Sequence, residues 1–519
     1  MNRVAIMNIG VLALVTGTAL AAAPAERDGQ TASAVSSTAA EEHSTVAWNA
    51  LHRTADLSLS LGESQAVEMS DGRKTMLKLV GLEEIRDGLC SAVRAARVKV
   101  EVNGQPITLT SATYHLPVTI AGVQIDCPIT RGYTQNARTN RWGLDKDARL
   151  RLWPADSRWM APETFVYPVR QRWFASDTQM ANDPVFVDGG EVPGNRNIYY
   201  HWGLDFGGCE GMVDVVAASD GLVVSAGQDV LPEHKDIPGV SATYDEVNVL
   251  DARGWYYCYA HLKSIDGAVR PGQAVKMGQK IGVLGKEGGS GGWSHLHFHI
   301  TARQPSGKWG IEEGYAFLWE AYVRQHSPTL VAVARPHHFA TVGQKVMLDG
   351  TRSWSATGKI KSHAWTFCDG SAAVGAKVER TYERPGTYSE ILKVADTDER
   401  ADYDFAVVQV VDKAAPQQLP PTIHATYAPT FGLQPGDAVT FKVRTFRTTE
   451  GEEKWDFGDG TPAVAVKSDG NVKPRAPDGY AETVHRYAKP GHYLVRVERV
   501  GHTGAKAIAH LHVRVGREP

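Results

Sequence analysis

Eight residues, Trp293-Ser-His-Leu-His-Phe-His-Ile300, constrain this chain more than any other stretch. Successive side chains of a β-strand point to opposite faces. A strand here puts His295, His297 and His299 on one face and Leu296, Phe298 and Ile300 on the other. That is a row of imidazoles on an apolar backing. Gly288, Gly289, Gly291 and Gly292 precede it and mark a turn or loop. With 19 histidines in 519 residues, three at strict two-residue spacing are hard to ascribe to accident. The bland reading is a surface strand whose polar face happens to be histidine. The sharper one is a metal site, which needs further ligands from elsewhere in the chain.

At about 100–200 residues per domain the length allows roughly three or four domains with substantial cores. The formal charge is −3 with both signs mixed, which gives no electrostatic case for nucleic acid or an anionic membrane as partner. At the start, Arg3 precedes an apolar run from Ile9 to Leu20, and Ala19-Leu20-Ala21 matches a small-residue cleavage pattern. Residues 1–21 therefore read as a secretory signal peptide, too short and wrongly flanked to span a membrane. No later stretch is apolar enough for a transmembrane segment, so the expectation is an exported protein, secreted or periplasmic. Five cysteines remain: Cys90, Cys127, Cys209, Cys258 and Cys368. An oxidising compartment favours a Cys90–Cys127 disulfide, since both fall in one expected β domain. The odd count leaves at least one thiol over, and no C-x-x-C pair suggests a cysteine zinc cage.

Residues 22–47 lack periodicity and read as a disordered leader. Residues 48–154 show short alternating strands and an Asn103-Gly104 hairpin signal, a compact N-terminal β domain of unknown role. Its Trp142-Gly-Leu-Asp145 echoes Trp202-Gly-Leu-Asp205, but Arg141 stands where the later copy has His201, and the echo reads as coincidence. Residues 155–327 form the next domain, opening with a connecting segment to about 197 and continuing as strands and glycine-marked turns. Glu313–Gln325 carries Tyr315, Leu318, Trp319 and Tyr322 at helical spacing, a stripe best explained by packing. The last third repeats itself. Trp365-Thr-Phe-Cys-Asp-Gly-Ser371 answers Trp455-Asp-Phe-Gly-Asp-Gly-Thr461, and Tyr382-Glu-Arg-Pro-Gly-Thr-Tyr388 answers Tyr487-Ala-Lys-Pro-Gly-His-Tyr493. Two β-sandwiches follow, 328–413 and 422–519, joined by a stiff proline linker at 414–421.

Two further places complete a constellation. His201-Trp-Gly-Leu-Asp205 offers an imidazole and a carboxylate four residues apart. A straight strand would hold their Cα atoms roughly 13 Å apart, too far to share one ion, so a bend at Gly203 is required. Tyr259-Ala-His261-Leu262 ends an aromatic strand in histidine, and alternation assigns Trp255, Tyr257, Tyr259 and His261 to one face. Two imidazoles and one carboxylate leave a tetrahedral zinc an open position, with two imidazoles over to handle protons. That composition suits a catalytic site.

In this order the residues resemble the lysostaphin-type zinc metallopeptidases, which cleave peptide cross-links of bacterial cell walls. The match runs from about Tyr199 to Ile300 and includes Asp220-Gly-Leu-Val-Val, Val269-Arg-Pro-Gly-Gln and Gly278-Gln-Lys-Ile-Gly-Val-Leu-Gly. The resemblance implies a mainly β fold, with an antiparallel (duplicated hybrid motif-like) peptidase core, and one Zn2+ per chain. His201, Asp205 and His297 are its implied metal ligands, and His261 and His295 its implied catalytic pair. Peptidoglycan or another peptide is the implied substrate. The C-terminal repeats resemble polycystic-kidney-disease (PKD) type immunoglobulin-like domains, the first departing at Thr366 and Cys368. Such modules are non-catalytic, serve as spacers or bind polysaccharide or protein.

Two departures from the peptidase pattern matter. His299 stands where the family usually has Glu, as a supporting group or an extra ligand. Asp229-Val-Leu-Pro-Glu-His-Lys-Asp-Ile-Pro-Gly239 replaces a short glycine-rich turn and is expected to reshape the cleft. The run Gly285-Lys-Glu-Gly-Gly-Ser-Gly-Gly292 lacks the lysine-hydroxyl ending of a phosphate loop. Alternatives to a cell-wall peptidase are an inactive wall-binding or regulatory relative, and a metallopeptidase for glycine-rich extracellular protein.

Overall fold

The structure, a computed structural model, describes residues 55–516 except 112–113, 136–139, 182, 187–193, 195–196 and 416. The expected signal peptide and leader lie outside the described residues. Strand makes up 48% of the structure and helix 4%. The N-terminal domain is a sandwich of two four-stranded antiparallel sheets closed over Leu57, Leu77, Val98, Ile125 and Leu150. Asn103 and Gly104 both have positive φ (50° and 79°) between the paired residues Val102 and Gln105, the two-residue hairpin that their types favour. The Trp142 echo has a use unrelated to metal. Trp142 is buried with Tyr200 and Ile311, and Arg149 ties Trp142 O to Ile311 O, so this turn docks the domain onto the sheet that carries the histidine row.

The strand His295–Arg303 lies inside a nine-stranded sheet, between Leu204–Gly207 and Tyr256–Ala260. Leu296, Phe298 and Ile300 enter the largest core with Tyr257, Tyr259 and Leu204, as alternation requires. Trp255 and these tyrosines share that core. His261 does not follow them, contrary to the alternation argument. Its φ of +67° takes it out of the strand, so its ring turns toward the opposite, polar side. The helix falls at Tyr315–His326, with Tyr315, Leu318, Trp319 and Tyr322 buried against Trp173 and Tyr167.

In the C-terminal third, Trp365 and Trp455 sit at the centres of separate cores. Tyr388 and Tyr493 each donate to the carbonyl four residues earlier, Arg384 O and Lys489 O, so the repeat in sequence is a repeat in bonding. The two modules are not beads on a linker, however. Gly386 and Thr387 of the first pair in parallel with Lys506 and Ala507 of the second, which merges one sheet from each into a single nine-stranded sheet. The expected disulfide is also absent. Cys90 packs with Leu89 and Val411 of the first module, whereas Cys127 lies inside the N-terminal sandwich core with its thiol on Ile129 O, so the two are not bridged.

Candidate metal and catalytic site

Register brings the first three residues together. Leu204–Gly207 runs antiparallel to the histidine strand with Asp205 directly opposite His297, and opposed residues hold their Cβ atoms about 4.5–5.5 Å apart. His201 precedes this strand, beyond a bend at Trp202-Gly203. His201 Nε2 lies 3.0 Å from His297 Nδ1 and 3.3 Å from Asp205 Oδ1, and His297 Nδ1 lies 2.8 Å from Asp205 Oδ1. Ligands on a tetrahedral zinc with bonds of 2.0–2.1 Å are about 3.3 Å apart. The three donor atoms thus form a triangle of suitable size, and they are the cluster of metal-ligating type among the described residues. Their other nitrogens are already committed. His201 Nδ1 is 3.1 Å from Met180 O, which accepts its proton and leaves Nε2 bare. His297 Nε2 is 3.1 Å from His299 Nδ1. His299 is therefore placed behind His297, on the nitrogen remote from Asp205, where it can orient the ring.

Gly203 does more than bend. A Cβ there would sit 2.6 Å from His297 Cε1, 2.9 Å from its Nε2 and 2.8 Å from Phe298 O. The backbone passes that close to the ring because no side chain intervenes. His295 and His261 face each other with ring centroids 4.7 Å apart. His295 Nδ1 lies 3.0 Å from Trp293 O, its Nε2 3.5 Å from Asp205 Oδ2, and its ring stacks on Trp293 at 3.9 Å. His261 takes its backbone N–H (3.1 Å) and Nδ1 (3.3 Å) to Asp245 Oδ2. Sequence alone does not single out Asp245, since it lies in the loop that follows the long insertion, sixteen residues from its partner.

Burial shapes the charge states. It opposes ionisation of Asp205, but the surrounding His201 and His295 outweigh it and hold the carboxyl well below its usual range. Burial drives His295 and His299 well below the ordinary histidine value and lowers His297 as well. His201 goes the other way, because the neighbouring Asp205 outweighs burial. An ionised carboxylate and largely neutral imidazoles are what a divalent cation needs from its ligands.

The five histidines, Asp205 and Cys258 line a cleft of about 680 Å³. Gly239, the last residue of the long insertion, and Val240 and Ser241 after it form one border. Arg141 of the N-terminal domain forms another, its guanidinium 4.9 Å from the Trp202 ring. The second sandwich module holds the glycine loop that leads into the histidine strand. Arg444, fully buried and paired with Asp469, donates to Gly292 O (2.6 Å), Asn471 donates to Gly291 O (3.0 Å), and Ser294 N donates to Tyr480 OH (2.8 Å). Sequence offered no signal for these contacts, which bridge more than 150 residues.

The Peptidase family M23 model matches residues 199–308, and PKD domain models match 325–410 and 424–515. Among solved structures, Csd3 of Helicobacter pylori is 18% identical, over 45% of this chain and 56% of that one, with a TM-score of 0.20. Fibronectin(III)-like modules of Clostridium thermocellum CbhA are 13% identical, over 36% of this chain and 93% of that one, with a TM-score of 0.15. Likenesses at these TM-scores carry no argument. No helix among the described residues is long and apolar enough to cross a membrane.

Proposed function

We propose that this chain, a peptidase of family M23 carrying two PKD domains, is an exported zinc metalloendopeptidase acting on the peptide cross-links of peptidoglycan. The observation that carries the zinc assignment is the triangle of His201 Nε2, Asp205 Oδ1 and His297 Nδ1, with every edge between 2.8 and 3.3 Å. These three residues would hold the ion. Bound there, zinc supplies a Lewis acid that polarises a carbonyl and makes water a nucleophile near neutral pH.

The protein groups do the rest. His261 and His295 flank the triangle and each has Nδ1 engaged, by Asp245 and by Trp293 O. Each therefore presents Nε2 to the cleft. A neutral ring in that position accepts the proton of an attacking water, and a protonated one donates to the oxygen of the tetrahedral adduct or to the departing amine. Asp245 fixes the His261 tautomer much as a carboxylate does in a hydrolase triad. Asp205 lies close enough to His295 to stabilise that ring once it takes up a proton. The residues required by both halves of the reaction are thus present within one cleft.

The test is digestion of purified peptidoglycan with mass analysis of the fragments. New peptide amino termini released by the zinc-loaded protein, and lost in Asp205→Ala, are the expected result. Binding without cleavage would replace this reading with a wall-binding one, and cleavage of only glycine-rich protein would move the substrate assignment.

A further inference from the structure

Among the described residues, one arginine and no lysine lines the catalytic cleft, and it comes from another domain. Arg141 belongs to the N-terminal turn that docks beside the histidine strand, and its backbone there is fixed. Ile311 N donates to Arg141 O (2.9 Å), Ser306 Oγ donates to Gly143 O (2.6 Å), and Trp142 between them is buried. A Cβ on Gly143 would meet Trp309 O at 2.9 Å, and one on Gly310 would run into Trp142 O, so the turn and the strand Trp309–Glu312 are in close backbone contact. Arg141 itself is exposed. A rigid turn thus carries a solvent-reachable cation on the rim of the cleft.

The guanidinium lies over the Trp202 ring at 4.9 Å, and that ring meets the His297 ring edge to face with centroids 6.2 Å apart. These two steps hold the charge within about 11 Å of a ligand ring, the span of about three residues of extended peptide. A guanidinium over a ring engages its flat face and leaves its N–H edges for an acceptor. Among the described residues no side chain or carbonyl takes those edges; Arg141 hydrogen-bonds through its backbone O. The carboxylates that line the cleft are engaged elsewhere. Asp205 faces His201 and His297, and Glu246 accepts from Ser241 Oγ (2.6 Å), Thr243 Oγ1 (2.8 Å) and Cys258 Sγ (3.2 Å). A further cavity of about 330 Å³ shares Arg141, Trp202, Gly239 and His299 with the cleft, and no carboxylate is among its described lining residues. There is room beside the guanidinium for a group of opposite charge, reached along the rim of the cleft itself.

We propose that Arg141 is a specificity-determining residue, which pairs with a carboxylate of the peptide substrate within about three residues of the bond lying over the histidine row. This rests on the peptidase reading above, because the carboxylate belongs to the peptide being cleaved. A peptide backbone is neutral, so the anion is either an acidic side chain or the C-terminal carboxylate, and the guanidinium fork donates to both in the same way. The N-terminal domain thereby takes part in substrate choice. Arg141 binds and takes no part in bond cleavage.

The experiment uses the zinc-loaded full chain and fluorescent peptides with one glycine/alanine core, whose cleaved bond is located by mass analysis. They differ only in carrying Glu, Gln or Lys within three residues of that bond, and in ending as the free acid or the amide. In the wild type the best-placed carboxylate should raise kcat/KM about fivefold over its neutral counterpart, the scale of a partly exposed ion pair. That advantage should shrink as salt is raised. Whether the Glu peptide or the free acid shows it identifies the source of the carboxylate. Arg141→Gln should bring the ratio of acidic to neutral peptide to one, Arg141→Lys should restore part of it, and Arg141→Glu should invert it in favour of the Lys peptide. Equal kcat/KM for acidic and neutral peptides in the wild type would overturn the proposal, as would an acidic preference that survives in both Arg141→Gln and Arg141→Glu. If the wild type cleaves none of the peptides, the peptidase reading fails by itself. Fluorescence anisotropy then decides the role of Arg141, which requires tighter binding of an acidic than of a neutral peptide, reversed in Arg141→Glu, and is overturned by equal affinities.

Discussion

Gly203→Ala isolates the geometry of the site with a single methyl group. The φ of Gly203 is outside the left-handed region, so alanine brings no backbone strain and the effect is steric. The new Cβ would meet His297 Cε1 at 2.6 Å, whereas ordinary contact begins at 3.4 Å, so the ring must retreat by about 0.8 Å. Retreat is obstructed on the other side by His299, 3.1 Å from His297 Nε2, and Phe298 O blocks the backbone at 2.8 Å. Overpacking of this kind costs about 1–3 kcal/mol of stability. A displacement near 1 Å at a reacting group costs about a hundredfold in rate, or about 2.7 kcal/mol of transition-state stabilisation. The expected result is a kcat/KM about a hundredfold lower on a peptide substrate, with weakened zinc retention and a folded circular-dichroism spectrum. Gly267→Ala, where the added Cβ meets nothing within 4 Å, is the matched control and should behave as wild type. Wild-type activity and metal content in Gly203→Ala would refute the close packing of His297 that places it in the triangle.

Three further outcomes are expected. His261→Ala should retain zinc while losing about 10²–10⁴-fold in kcat, read by parallel metal analysis and kinetics. Arg444→Met should lower kcat with little change in zinc content, because it frees Gly292 O and loosens the loop ahead of His295; Arg444→Lys should recover part of the loss, and unchanged kcat in the methionine variant would remove Arg444 from any positioning role. Burial pushes the Glu313 carboxyl up to about 7, with Arg151 pulling it back only in part. A raised folded-state value means that the carboxyl favours folding below its unfolded value near 4.5 and loses that contribution as pH rises through about 7. Glu313→Gln should therefore melt higher relative to wild type at pH 8 than at pH 5, by an amount of order 3 kcal/mol in stability. An equal offset at both pH values would count against it.

The histidine row was legible because a strand with period two writes its faces directly into sequence, and Leu296, Phe298 and Ile300 named the buried side. The pairing of His201 with Asp205 was legible as chemistry, and Gly203 as a bend, but the closeness of the His297 ring was not. His261 escaped the same alternation rule because one residue with positive φ resets which face follows. Asp245, Arg444 and Arg149 act across long sequence separations, where no local pattern reports contact. The repeat in the last third gave two sandwiches correctly, while the strand pairing between Gly386–Thr387 and Lys506–Ala507 depends on edges whose partners composition does not specify. The Cys90–Cys127 disulfide was inferred from compartment and shared domain alone, and their separate packing environments defeat it.

The most direct measurement is anomalous diffraction at the zinc absorption edge from crystals of the full chain, alongside metal analysis of the wild type and of Asp205→Ala and His297→Ala. One zinc per chain, about 2 Å from His201 Nε2, Asp205 Oδ1 and His297 Nδ1, with the metal lost in both variants, is the expected result. A wild type that takes up no stoichiometric zinc, or an ion held elsewhere while these three side chains remain bonded only to one another, would contradict the assignment.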